Sequence, residues 1–257
     1  MTDNHELMAA VELASQYYGT ELMRGTGADR DAARGYIAGR QLFAPMVEQF
    51  RIGFVPRQQG GRPWILNKIP DADLLLEAGI IIKADGKYRD PMEGRIVFPQ
   101  VNPAGKYIGF VGRSQAPKAD KYLSTGQTAI FRRTEALYRI DKARIPIEAN
   151  KVAIVVEGLL DAALLTQVGI KNVVATGTKS MTDPQAQILA RYTNRVEVMF
   201  DNDQAGREGF EQMWRKRARH FEKMTWRQYP AKYNDPADWV AARIARNIAD
   251  QAAVVAG

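Results

Sequence analysis

The chain has no cysteine and two histidines, His5 and His220. Without cysteine there is no disulfide and no thiolate zinc site, so zinc is not expected; the composition is compatible with a reducing cytoplasm, the expected location. Both histidines sit in polar, charge-rich stretches and read as solvated side chains. A histidine triad or a His-rich metal centre is therefore a poor fit. Long apolar runs are also missing, and no segment is long enough to span a bilayer. The start, "MTDNHELMAA", carries early acids and no long apolar core, which does not read as a signal peptide. Internal repeats and low-complexity tracts are absent too.

What is present is ordinary in bulk and basic in charge. The 257 residues are 46% hydrophobic and 25% charged, enough to bury one large core or two moderate ones. The formal net charge of +7 favours acidic partners, nucleic acid first among them and anionic membrane surfaces second.

The first half reads as helices followed by antiparallel strands. Apolar residues at Leu7, Met8, Val11, Leu13, Ala14, Tyr17, Tyr18 and Leu22 suit one broad buried helix face. "GADRDAARGYIAGR" is a second helix with Asp29 as candidate cap, and "APMVEQFRIGFVP" is a helix running into a strand. "DADLLLEAGI" is a short helix stopped by Gly79. From Gly94, "GRIVFPQVNPAGKYIGFVGRS" gives two strands joined by hairpin chemistry. From Lys151 the rhythm changes to strand and helix in alternation, which predicts a parallel sheet covered by helices. "KVAIVVEG" has the continuous apolar texture of a strand buried on both faces. Asp183 is the candidate cap of "TDPQAQILARY", and the "RKRARH" run reads as the solvated side of a helix. The change of texture places a domain boundary at 148/149, with domains 1–148 and 149–235 and a terminal helix over 236–257.

Acids gather where strands of the second half end. Glu157 ends "VAIVVE", and Asp161 follows in the first turn of the next helix. Asp201 and Asp203 end "VEVMF" one residue apart, so in extended chain they point the same way. Asp235 follows the last strand-like run. Ligand sites of open parallel sheets lie beyond the carboxyl ends of the strands. Crowded carboxylates raise one another's pKa unless a cation sits among them, and hard divalent ions prefer oxygen ligands. The set therefore points to a hard divalent ion such as magnesium. The bland alternative stays open at this stage: Asp161 can satisfy a helix N-terminus and Asp203 can cap the helix beginning near Gln204.

"VVEGLLDAALLTQVGIKNVVATGT" followed by "VEVMFDNDQAGREG" resembles the TOPRIM domain of bacterial-type primases, topoisomerases and certain nucleases. "GRIVFPQVNPAGKYIGFVGRS" and "KYLSTGQTAIFRRTEALYRIDKAR" are similar to the basic segment before TOPRIM in DnaG-type primases, and the helical start fits the same polymerase core. The resemblance spans about Leu7 to Trp239. It implies an α/β chain: a basic mixed α+β subdomain, then a TOPRIM domain with a Rossmann-like parallel sheet. It implies template-directed synthesis of RNA primers on single-stranded DNA from ribonucleoside triphosphates. By position it implies Glu157, Asp201 and Asp203 as catalytic, and Glu157, Asp161, Asp201, Asp203 and Asp235 as ligands of Mg2+ or Mn2+. Arg95, Arg113, Lys121 and Tyr122 match the segment that holds template or nucleotide. Further partners implied are a replicative helicase and a separate zinc-binding module. A TOPRIM nuclease and a non-catalytic primase relic that binds nucleic acid or helicase are the alternative readings.

Overall fold

The computed structural model describes residues 2–57, 61–178, 180–230, 232–233 and 235–244. The chain forms two compact units, one of Met1–Gly39 with Phe43–Ala136, the other of Arg40–Leu42 with Leu137–Gly257.

The first unit starts with three helices. In α1 (Asn4–Arg24) the Asp3 side chain accepts a hydrogen bond from the His5 N–H and caps the helix. Leu7, Ala10, Val11, Ala14, Tyr18 and Leu22 recur at helical spacing and are buried, as the periodicity requires. Then come α2 (Ala28–Gly39) and α3 (Ala44–Gln49). Asp29 is not the cap of α2; it lies in the first turn and pairs with Arg30 at 3.0 Å. After β1 (Gly53–Phe54) and a 3-10 turn at Trp64–Asn67, α4 (Ala72–Glu77) is capped by Asp71. A small hairpin of β2 (Ile82–Ala84) and β3 (Lys87–Arg89) follows. The main sheet is antiparallel in the order β1-β4-β5-β6, with β4 (Arg95–Val101), β5 (Tyr107–Ser114) and β6 (Tyr122–Ser124). The hairpin between β4 and β5 closes at Asn102, whose carboxamide oxygen accepts from the N–H groups of Ala104 and Lys106. The core joins Leu7, Val11 and Tyr18 of α1 to Leu75, Val97 and Phe110.

The second unit opens with α5 (Ile140–Asn150). This helix spans the boundary expected at 148/149 and packs with the unit that follows. Pro146 lies inside it, at the loss of one backbone hydrogen bond. Next come β7 (Ala153–Val156), α6 (Leu159–Gln167), β8 (Val173–Ala175), α7 (Asp183–Ala190), β9 (Arg195–Val198), α8 (Gln204–Arg217) and β10 (Lys223–Trp226). Residues 236–244 are helical, and the remainder of the expected terminal helix lies outside the described residues. The sheet is parallel in the order β10-β9-β7-β8, with β7 inside it. All of β7 is buried, which is why it reads as an unbroken apolar run; each of its Ile and Val side chains contributes about 2 kcal/mol of transfer free energy. Val155, Val174, Val198, Leu189 and Met213 meet in the core of this unit.

Thr182, not Asp183, caps α7, in a reciprocal capping box with Gln185. Asp183 instead holds Arg217, Arg219 and His220. Arg217 and His220, both largely buried, thus tie the end of α8 to the start of α7 rather than standing in solvent, while the rest of the "RKRARH" run is exposed or half-buried. Among the described residues, no helix is long and apolar enough to cross a membrane.

Candidate active site

Chain order and strand order diverge at β7. The chain goes from β7 to β8 on one side, then crosses to β9 on the other. Such a divergence leaves a crevice beyond the carboxyl ends of the strands. Glu157 is the first residue past β7, and its carbonyl accepts the Gly177 N–H at 3.0 Å. Met199 continues past β9 by donating to the Val155 carbonyl at 2.8 Å, and buried Phe200 leads into Asp201. Both strand ends therefore present acid from a fixed backbone.

Asp161 stands in the first turn of α6. Its pKa is pushed up to about 7, first by loss of hydration, then by the charges of Asp235 and Asp201; the Arg40 cation and the Gly158 N–H pull the other way. The Tyr229 hydroxyl is buried beside the same charges. Its pKa lies above the ordinary phenol value through desolvation and then Asp201, Asp235 and Asp161. The structure thus gathers Asp161, Asp201 and Asp235 into one patch of excess negative charge.

Glycines make the close approaches possible. A Cβ at Gly158 would lie 2.2 Å from the Asp161 carboxylate, and one at Gly206 would lie 2.1 Å from the backbone oxygen of Asp201. Neither needs an unusual backbone; each is needed because another group occupies the space a side chain would fill.

Asp203 is exposed, and its carboxylate accepts the Gly206 N–H at 2.7 Å as the cap of α8. The capping reading of this residue is therefore correct, and its second oxygen remains to serve a ligand. Among the described residues, no group of three His, Asp or Glu side chains stands ready to hold a metal ion. The acids are electrostatically coupled without forming a finished cage. Beside them a cleft of about 710 Å³ is lined by Asn202, Arg207, Trp226, Gln228, Tyr229 and Pro230.

The basic residues of the first unit play unequal parts. Arg95 donates to the Asp120 carbonyl at 2.8 Å and so braces the loop before Lys121. Arg113 is half-buried; its guanidinium lies 4.6 Å from the Tyr36 ring centre and 5.3 Å from that of Tyr122, and it donates to the Tyr122 hydroxyl at 3.0 Å. Lys121 is exposed. Arg113 and Tyr122 are thus one stacked assembly with Tyr36.

Three participants escape sequence reasoning. Arg40 is separated from Asp161 by more than a hundred positions and has no local signal. Tyr229 reads as one aromatic in a strand. Asn202 sits between the two conspicuous acids, where a middle residue draws no notice.

Comparison with known proteins agrees with this arrangement. A family model for the DNA primase catalytic core, N-terminal domain, matches residues 17–144, and a Toprim-like model matches residues 154–240. The DNA primase of Synechococcus elongatus is 32% identical over 218 residues, covering 82% of this chain and 31% of its own length. That of Staphylococcus aureus is 29% identical over 210 residues, covering 80% and 35%. The chain thus spans about a third of the length of the curated relatives it matches. Among solved structures, the zinc-binding and RNA polymerase domains of Aquifex aeolicus primase superpose with a TM-score of 0.83 at 27% identity, over 94% of this chain and 59% of that one. A DnaG primase catalytic domain bound to single-stranded DNA gives 0.77 at 27% identity, over 93% and 75%. With both of its parts matched in order, the chain belongs to the family of DnaG-type primase catalytic cores, an N-terminal core domain followed by a Toprim-like domain.

Proposed function

We propose that this chain is the RNA-polymerising core of a primase, joining ribonucleotides on a single-stranded DNA template. The observation that carries the proposal is the coupling of Asp161, Asp201 and Asp235 at the carboxyl ends of a parallel sheet. Burial and the neighbouring charges of Asp235 and Asp201 raise the pKa of Asp161, and a divalent cation set among such carboxylates relieves that repulsion. Its donors are all carboxylate oxygens, which fits Mg2+ or Mn2+ with water completing the shell. Asp161, Asp201 and Asp235 would hold the ion, with Glu157 and the outward oxygen of Asp203 at the same end of the sheet. When bound, the ion supplies neutralisation of phosphate charge and activation of a hydroxyl.

The remaining roles belong to the chain itself. The cleft beside the acids, with Arg207, Trp226 and Gln228 in its lining, has the size of a nucleotide site. In the first unit, the Tyr36–Arg113–Tyr122 stack, with exposed Lys121 next to it in sequence, combines cations and aromatic rings, the pairing that suits single-stranded nucleic acid. The neighbouring primase solved with single-stranded DNA supports that template. A replicative helicase and a separate zinc-binding module are proposed partners on the resemblance alone.

The test is incubation with single-stranded DNA, ribonucleoside triphosphates and Mg2+ or Mn2+, with and without a short RNA paired to the template. Oligoribonucleotide synthesis or RNA extension supports the proposal. Cleavage of the DNA without synthesis overturns it in favour of a nuclease.

A further inference from the structure

Asp235 is brought to the other acids by a segment that does not belong to the sheet. Past β10 the chain must turn back toward the end of β9, and two side chains fasten it there. The Tyr229 hydroxyl donates to the Phe200 carbonyl at 3.1 Å, within buried surroundings. The Asn202 carboxamide donates to the Tyr233 carbonyl at 3.1 Å and reaches the Tyr229 carbonyl at 3.4 Å. The Tyr229 ring also lies 6.4 Å from that of Trp239. Asp235 stands between these anchors and accepts the Asp238 N–H at 2.7 Å at the start of the helical run 236–244.

We propose that Asn202 is a positioning residue: its amide, with the Tyr229 hydroxyl, fastens the segment after β10 to the end of β9 and so delivers Asp235 to Asp161 and Asp201. The chemistry suits the task. A carboxamide has two N–H donors and no charge. It can bind two carbonyls between Asp201 and Asp203 without adding to the negative patch. An aspartate at 202 would repel both carbonyls, and an alanine would remove both of these hydrogen bonds. The inference rests on the reading of the acids as a cation site, and the experiment separates the two.

The probe is Mn2+, with the free ion counted by electron paramagnetic resonance. The proteins are the full chain and its Asn202→Ala, Tyr229→Phe and Asp201→Asn variants. Losing a residue that orients metal ligands typically weakens metal binding by about tenfold or more. Asn202→Ala is expected to weaken Mn2+ binding by about tenfold. The Mn2+ concentration needed for RNA extension should rise by the same factor, and excess Mn2+ should restore the rate. The melting temperature in chelator should stay within a few degrees of the parent. If Asn202→Ala does not fold, Tyr229→Phe decides, since it breaks the second fastening of the same segment: weaker Mn2+ binding supports the proposal. The proposal is overturned if the folded latch variants bind Mn2+ as the parent does while Asp201→Asn does not. It is also overturned if extension falls together with the melting temperature and excess Mn2+ fails to restore it, which assigns Asn202 a purely structural part. If Asp201→Asn also binds like the parent, the cation reading itself fails and this inference fails with it.

Discussion

Tyr18 donates its hydroxyl hydrogen to Asp90 at 2.6 Å, joining α1 to the segment before β4 inside the core of the first unit. The other oxygen of Asp90 accepts the Met92 N–H at 2.8 Å. Two good hydrogen bonds do not outweigh the loss of hydration, so the carboxyl is pushed up to about 6.

That shift has a definite sign. The folded chain holds the Asp90 proton to higher pH than the unfolded chain does. Stability from this group is greatest below pH 4, falls as pH rises to about 6, and is level above. The span amounts to about 3 kcal/mol, taking roughly 1.4 kcal/mol per pKa unit. Asp90→Asn removes the titration. Urea unfolding from pH 4 to 7 should show the variant gaining on the parent up to pH 6 and then running level with it. Parallel curves would mean that Asp90 is not desolvated in solution.

Gly158→Ala and Gly206→Ala should fail in different ways. At 158 the new methyl meets the carboxylate of Asp161, the movable end of a side chain. Asp161 can rotate away, so the fold should survive with activity reduced at least tenfold, on the scale by which misplaced catalytic groups lose rate. At 206 the methyl meets the backbone of Asp201 at its O, C and N atoms. Backbone must shift, at about 1–3 kcal/mol for overpacking, and the melting temperature should drop. Thermal melts and extension assays on the pair check the contrast; equal melting temperatures would refute it.

Asp203 carries two duties that substitution can separate. Asparagine still accepts the Gly206 N–H, because it caps helices as well as aspartate does. Asp203→Asn should therefore melt like the parent while losing extension activity at limiting Mg2+. Asp203→Ala should lose the activity and about 1 kcal/mol of stability as well. Full turnover of Asp203→Asn at limiting Mg2+ would leave this residue only its capping duty.

Lys121→Ala and Arg113→Ala should both weaken binding to single-stranded DNA, but only the second should touch the fold. Lys121 is exposed, so its loss should lower the slope of log affinity against log salt by about 0.7, the counterion share of one charge on a single strand. Arg113 is stacked on Tyr36 and bonded to Tyr122. Its loss should also lower the melting temperature. An unaltered salt slope in both variants would place the nucleic acid elsewhere.

Much of this arrangement is legible in the order of residues. β7 announces itself because burial on both faces demands an unbroken apolar run. The β4–β5 hairpin shows in the turn chemistry at Asn102, and Asp201 shows because acid directly after a strand of a parallel sheet lies at its carboxyl end. Other parts leave no local trace. Whether Thr182 or Asp183 caps α7 depends on which side chain meets the Gln185 N–H, and adjacent residues of similar propensity do not reveal it. The hairpin of β2 and β3 has a fair turn at Asp85–Gly86, but strands of three residues are too short for a visible period. Arg40 and Tyr229 join the acidic site through tertiary packing alone, and Asn202 does so by bonding carbonyls, which every residue possesses.

The three residues Arg40–Leu42 pack with the second unit although the chain on either side of them belongs to the first. Neither unit is therefore a contiguous stretch of gene. A segment transplanted from Leu137 onward would carry Asp161, Asp201 and Asp235 but leave behind the Arg40 cation that tempers them. It would also lose the Gln41 carbonyl, to which the Gln167 side chain donates at 2.8 Å. Exchange of the parallel-sheet unit between proteins by a single recombination point would thus deliver an acidic site without the cation that acts on Asp161, and a functional graft would have to bring Arg40 along with it.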